Sequence, residues 1–121
     1  MTLKECYAAM GSNYDEVIGR LRSERLVQKF VLKFADDGSF DLLQRSLAEQ
    51  NYAEAFRAAH TIKGVCQNLS LTKLGASSSA LAETLRGGVW SEEAAALVEE
   101  TTKDYQDTIS AIRAFQEAQG G

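Results

Sequence analysis

The chain has 121 residues, 45% of them hydrophobic and 25% charged, with a formal charge of −4 and a sequence pI near 5.0. That length suits one domain with a real core, and the mix is that of a folded globular protein rather than a disordered or membrane-embedded one. The acidic balance argues against nucleic acid, which takes a basic patch strong enough to outweigh the repulsion, so the expected partner is another protein.

There is no proline, and the strongest apolar spacings are three and four residues, which favours an all-helical class. Residues 2–10 place Leu3, Cys6, Tyr7 and Met10 at helical spacing, with Gly11 as a left-handed cap candidate. In the next segment Asn13 is positioned to cap, Glu16 follows three residues later, and Val17, Ile18 and Leu21 lead to an end near Arg22. From Ser23 a third stripe runs through Leu26, Val27, Phe30, Val31 and Phe34 and breaks at Gly38. Ser39 can cap a fourth helix with Phe40, Leu43 and Leu47, and Asn51 a fifth, with Glu54 at the box position. The fifth helix carries His60 and runs to about Leu69. Ser70 or Thr72 can start the sixth, whose Leu74, Ser78, Leu81 and Leu85 share a face, and "RGGVWS" ends it. The last helix, from Ser91 to about Ala118, opens on Glu92 and Glu93 and carries Val98, Thr101, Tyr105, Thr108, Ile112 and Phe115. Short connections between the last four helices predict an up-and-down antiparallel four-helix bundle over residues 39–118, with short N-terminal helices from residues 1–38 packed across one end.

No apolar run approaches the eighteen or so residues of a spanning helix, and the first segment lacks the apolar core of a signal peptide, so a cytoplasmic protein is expected; a chain that starts at Met1 and holds no catalytic domain is expected to stand alone. Cys6 and Cys66 form no CxxC pair and have no second histidine for a zinc site; they are expected to be reduced structural thiols.

The stretch "FRAAHTIKGVCQNL", residues 56–69, holds the only histidine and, four residues later, a glycine inside a helix. At 100° per residue, with Ile62 as zero, Ala55, Ala58, Ala59, Val65, Cys66 and Leu69 fall within about 60°, and His60 sits at about 160°. The histidine therefore faces away from the core, beside Gly64 and Gln67, with Phe56 and Lys63 on its flank. A helical glycine costs about 1 kcal/mol relative to alanine. Side chains lean toward the helix N-terminus, so a side chain at position 64 would lie over the turn that bears His60. Glycine leaves the imidazole uncovered. Lys63 can reach an anion held on the ring, and Gln67 can offer an amide N–H from the next turn. Singly, each has a bland reading: a solvated lysine, a surface glutamine, a surface histidine, or a glycine that admits a neighbouring helix.

His60-Thr61-Ile62-Lys63-Gly64 resembles the HxxKG signature of histidine-containing phosphotransfer domains, the HPt modules of bacterial and plant phosphorelays. The resemblance extends through "AFRAAHTIKGVCQNLSLTKL" and a serine-rich helix ending "LAETLR", and the family's four-helix architecture covers about residues 39–118. Ser70 and Ser78 depart from the pattern, since many members have glycine and cysteine there. The resemblance implies that His60 is the phosphoacceptor, exchanging a phosphoryl group with phospho-aspartate on response-regulator receiver domains and hybrid sensor kinases. Lys63 and Gln67 would stabilise the phosphoryl oxygens, Gly64 would give clearance, and Phe56, Arg57 and Asn68 would contribute to docking, with the fourth helix as second wall. The chain shows no acidic cluster for magnesium and no Gly-rich ATP loop, so it is expected to bind no cofactor itself, to take Mg2+ with its partner receiver, and to act as a stoichiometric carrier rather than an enzyme. No metal site, nucleic acid or membrane partner is expected, and a monomer is. Two rival readings are a helical adaptor with no phosphoryl chemistry and the phosphoacceptor domain of a chemotaxis-type kinase. A hydrolytic enzyme is disfavoured by the single histidine and the lack of converging carboxylates.

Overall fold

A computed structural model describes residues 1–120. The described residues form seven helices and no strand: α1 (Leu3–Ala9), α2 (Tyr14–Leu21), α3 (Glu24–Ala35), α4 (Ser39–Ala48), α5 (Tyr52–Leu69), α6 (Thr72–Leu85) and α7 (Glu92–Gly120).

Side-chain caps set most of the starts. Thr2, Asn13, Ser23 and Asn51 each accept the N–H three residues on, and Glu5 returns the bond to the Thr2 N–H to complete a capping box. Two expected caps are different. Ser39 lies inside α4, where its N–H donates to Asp37 Oδ1 and Gly38 is the capping residue. Ser70 is instead the left-handed residue that ends α5 (φ 56), while Leu71 caps α6 without a side-chain bond and Thr72 is its first residue. Glycine is favoured at such a left-handed end. Here Ser70 offsets the conformational cost by accepting from Arg20 and donating to Glu16 Oε1. Gly11 adopts the expected positive φ of 63, one residue past the cap at Met10.

One apolar core runs from Leu3 to Phe115. Helix α5 lies between α4 and α6, and α6 in turn packs on α7. Helix α3 packs against both α5 and α7, so it joins these helices rather than only lying across their end. The junction of α3 and α4 is pinned on α7 by Tyr105, which stacks on Phe40 at 3.9 Å and meets Phe34 edge-on at 6.2 Å. Arg113 reaches from α7 to the Ala35 carbonyl and to Asp36 at the end of α3.

Helices α1 and α2 secure the C-terminal end of α5. The buried Tyr7 hydroxyl donates to the Leu69 carbonyl, and the Arg20 guanidinium donates to the Gln67 and Asn68 carbonyls. These carbonyls lie in the last turn, where Gln67 accepts only a long 3.4 Å bond from the Ser70 N–H, so the two short helices complete the helix that carries His60. Arg20 is held by Glu16, whose carboxyl lies below the ordinary carboxylate range through its bonds from Ser70 and Arg20. Both cysteines are free and buried, as expected; burial pushes the Cys6 thiol up to about 11 and Cys66 to about 12. Ser78, at the second departure from the family pattern, is fully buried and satisfied by donating to the Leu74 carbonyl.

Candidate functional site

The two faces of α5 separate as the wheel requires. Ala55, Ala58, Ala59, Ile62, Cys66 and Leu69 are buried, while His60, Gly64 and Gln67 are exposed. Val65 is the exception within the stripe. It is only half-buried, because it borders a hollow of about 230 Å³ between α3 and α5 that Phe30, Phe34 and Asn68 also line.

Among the described residues, no protein group hydrogen-bonds the His60 ring; its one specific neighbour is Phe56, one turn earlier, stacked at 5.8 Å and 25°. A ring held this way keeps both nitrogens free for chemistry while losing some of its rotational freedom. Lys63 is half-buried and forms no ion pair within 4.0 Å among the described residues. Its ammonium is near enough to Glu83 of α6 to help hold that carboxyl below the ordinary range, without pairing to it directly. A Cβ built on Gly64 would meet no atom within 4 Å, so no packed neighbour demands this glycine. Close packing falls to Gly75 of α6, whose added Cβ would lie 3.3 Å from Cys66 Cβ.

The expected docking residues are placed unequally. Arg57 and Asn68 are exposed, with Arg57 paired to Glu54 on its own helix. Phe56 is half-buried, sharing its ring with His60 on one hand and the Arg86 guanidinium, 5.3 Å from its centroid, on the other. Arg86 is a cation near the site that the sequence reading passed over. It follows α6 and is held there by Glu83, whose carboxyl it keeps below the ordinary range. The signal was "RGGVWS", read only as a helix stop. On the Asn68 side the wall of the surface comes from α3, through Phe30 and Phe34, while α4 packs along α5 and lines none of this hollow.

The site thus unites an exposed imidazole, an ammonium three residues on with no direct ion pair among the described residues, and cleared space above the ring, with a second cation one aromatic ring away. The family model of the Hpt domain matches residues 25–115, which contain the whole of this surface. The chain belongs to the Hpt domain family. Hpt domains carry out phosphotransfer in two-component signalling and interact there with receiver domains and kinases. No curated protein and no solved structure matches the chain. No helix among the described residues is long and apolar enough to cross a membrane.

Proposed function

We propose that this Hpt protein is a stand-alone phosphocarrier in which His60 takes a phosphoryl group from phospho-aspartate on one receiver domain or hybrid kinase and yields it to another receiver. The observation that carries the reading is the open environment of His60: an exposed ring, an empty Cβ direction at Gly64, and Lys63 free of any ion pair among the described residues.

In the transfer, the lone pair of one imidazole nitrogen forms the N–P bond as the acyl-phosphate O–P bond breaks. The leaving aspartate departs as carboxylate, and the proton on the other ring nitrogen goes to solvent. A loose, in-line phosphoryl transfer needs positioning and charge stabilisation more than covalent help. Lys63 supplies charge to the equatorial oxygens, Gln67 an amide donor, and Gly64 room for the donor. Phe56 orients the ring. Arg57 and Asn68 meet the partner on the surface around it.

The metal belongs to the partner in this reading. The reading leaves Mg2+ with the receiver and autophosphorylation from ATP outside this protein's chemistry; among the described residues no three His, Cys, Asp or Glu side chains gather into a metal-holding group. The protein is then a carrier consumed and regenerated by its partners rather than an enzyme. We further assign it a cytoplasmic location, a monomeric state, a single domain over the chain, and an up-and-down four-helix arrangement around α5.

Exposure of wild type and His60→Gln to phosphoramidate, followed by intact mass and acid treatment, tests the reading. Wild type alone should gain one acid-labile phosphoryl group. Equal labelling of the two, or an acid-stable product, would show that His60 is not the acceptor.

A further inference from the structure

We propose that Trp90, stacked on Tyr52, and its neighbour Val89 form a second contact for the receiver that docks on His60, and that this contact selects among receivers. The inference rests on the phosphotransfer reading above.

Tyr52, Phe56 and His60 follow one another at four-residue intervals, so they lie along one face of α5, with Tyr52 about 12 Å from His60 at 1.5 Å per residue. The connection between α6 and α7 lies along this row. Arg86 covers Phe56, and the Trp90 ring stacks on Tyr52 at 5.2 Å and 25°. Its path is fixed by two left-handed glycines, Gly87 (φ 84) and Gly88 (φ 74). A Cβ on Gly88 would come within 3.5 Å of the Ala53 backbone, so the chain turns tightly against the first turn of α5 and delivers Val89 and Trp90 beside it.

The delivered side chains are left in water. Val89 is 63% exposed and Trp90 40%, and apart from Met1 they are the exposed large hydrophobic residues among those described. Two adjacent apolar side chains held out by a fixed loop are a mark of an interaction surface.

The occupant follows from the reaction. A phosphoryl donor must centre on His60 for the N–P bond to form. An ordinary interface covers about 800 Å² of each partner, a disc of roughly 16 Å radius. Tyr52 falls inside that disc and Trp90, stacked 5.2 Å from it, reaches its rim, so the receiver approaching His60 meets the platform at the edge of its footprint. Arg86, paired with Glu83, stands over Phe56 between the two contacts, and Lys63 lies just past His60; both are cations that complement a phosphorylated, metal-binding acidic centre. Aromatic anchors of this kind carry a large share of binding free energy, and the matching side chain differs from one receiver to another.

The test uses Trp90→Ala and Val89→Ser with a panel of phosphorylated receivers, and phosphoramidate as a donor too small to reach the platform. For at least one receiver, each variant should need about tenfold more receiver for half-maximal transfer, with the saturated rate unchanged. Phosphoramidate should label His60 in both at the wild-type rate, and the unchanged saturated rate with the receiver shows that the variants are folded. Trp90 is the only tryptophan, so its fluorescence should shift on titration with that receiver. Wild-type half-saturation in both variants for every receiver would overturn the proposal while leaving the phosphotransfer reading intact. So would fluorescence that follows the protein's own concentration instead, which would mark a self-association surface. Failure of phosphoramidate to label wild type at all would instead remove the phosphotransfer reading beneath it.

Discussion

Gly64 and Gly75 are both helical glycines, they lie on neighbouring packed helices, and they have opposite surroundings. Gly75 faces inward, where an added Cβ would stand 3.3 Å from Cys66 Cβ; Gly64 faces outward, where it would meet nothing within 4 Å. Each weakens its helix by about 1 kcal/mol relative to alanine. At Gly75 the close approach of α5 and α6 offsets that loss. At Gly64 nothing in the molecule does. The reason for Gly64 therefore lies in what approaches His60 from outside, and the reason for Gly75 lies in the core.

Substitutions at the two positions should diverge accordingly. Gly64→Phe should slow phosphoryl transfer from a phosphorylated receiver on the order of a hundredfold by displacing the donor from its in-line position, measured in single-turnover reactions. Its denaturation midpoint should be no lower than wild type. Gly75→Val should do the reverse, losing about 2 kcal/mol in urea unfolding through overpacking against Cys66, while the folded fraction transfers at the wild-type rate. Gly64→Ala should stabilise the protein by about 1 kcal/mol, seen as a thermal midpoint higher by about 4 °C. A loss of stability there would mean that the glycine serves packing after all.

The smallest effect concerns pH. The Cys6 and Cys66 thiols ionise at about 11 and about 12 in the folded protein against an ordinary 9.0, so the unfolded chain gives up their protons first. Their contribution to stability is complete below pH 9.0 and is lost as the pH rises toward those values. Cys66→Ala should flatten that alkaline decline in urea midpoints measured between pH 8 and 11, and leave the midpoint's pH dependence below 8 unchanged.

How the sequence anticipated these regions depended on the kind of information each needs. The exposed face of α5 was legible because a helix fixes direction by residue number alone: His60, Gly64 and Gln67 face solvent, and Ile62 and Cys66 the core. Val65 departed from its wheel position because burial also depends on whether a neighbouring helix closes over the residue, and the α3–α5 hollow leaves it half-covered. Asn13 and Asn51 cap as expected since that bond is local. Ser70 does not cap α6, because Arg20, fifty positions away in the chain, and Glu16 engage its hydroxyl. Arg86 and Trp90 escaped notice for the same reason: their places over Phe56 and Tyr52 are set by the packing of α6 on α5, which no spacing within one helix reveals. Gly64 and Gly75 look alike as letters, and only the packing around them tells them apart.

The claim that the surface above His60 is kept clear for a protein donor is tested most directly by giving Gly64→Phe two donors. Phosphoramidate is small enough to reach the ring beside a new side chain, whereas a receiver must cover the whole face. We expect phosphoramidate to label the variant within a fewfold of the wild-type rate, and a phosphorylated receiver to transfer on the order of a hundredfold more slowly. Equal losses with both donors would place the fault in the imidazole itself, and no loss with either would leave Gly64 without a role in transfer; both results contradict the account.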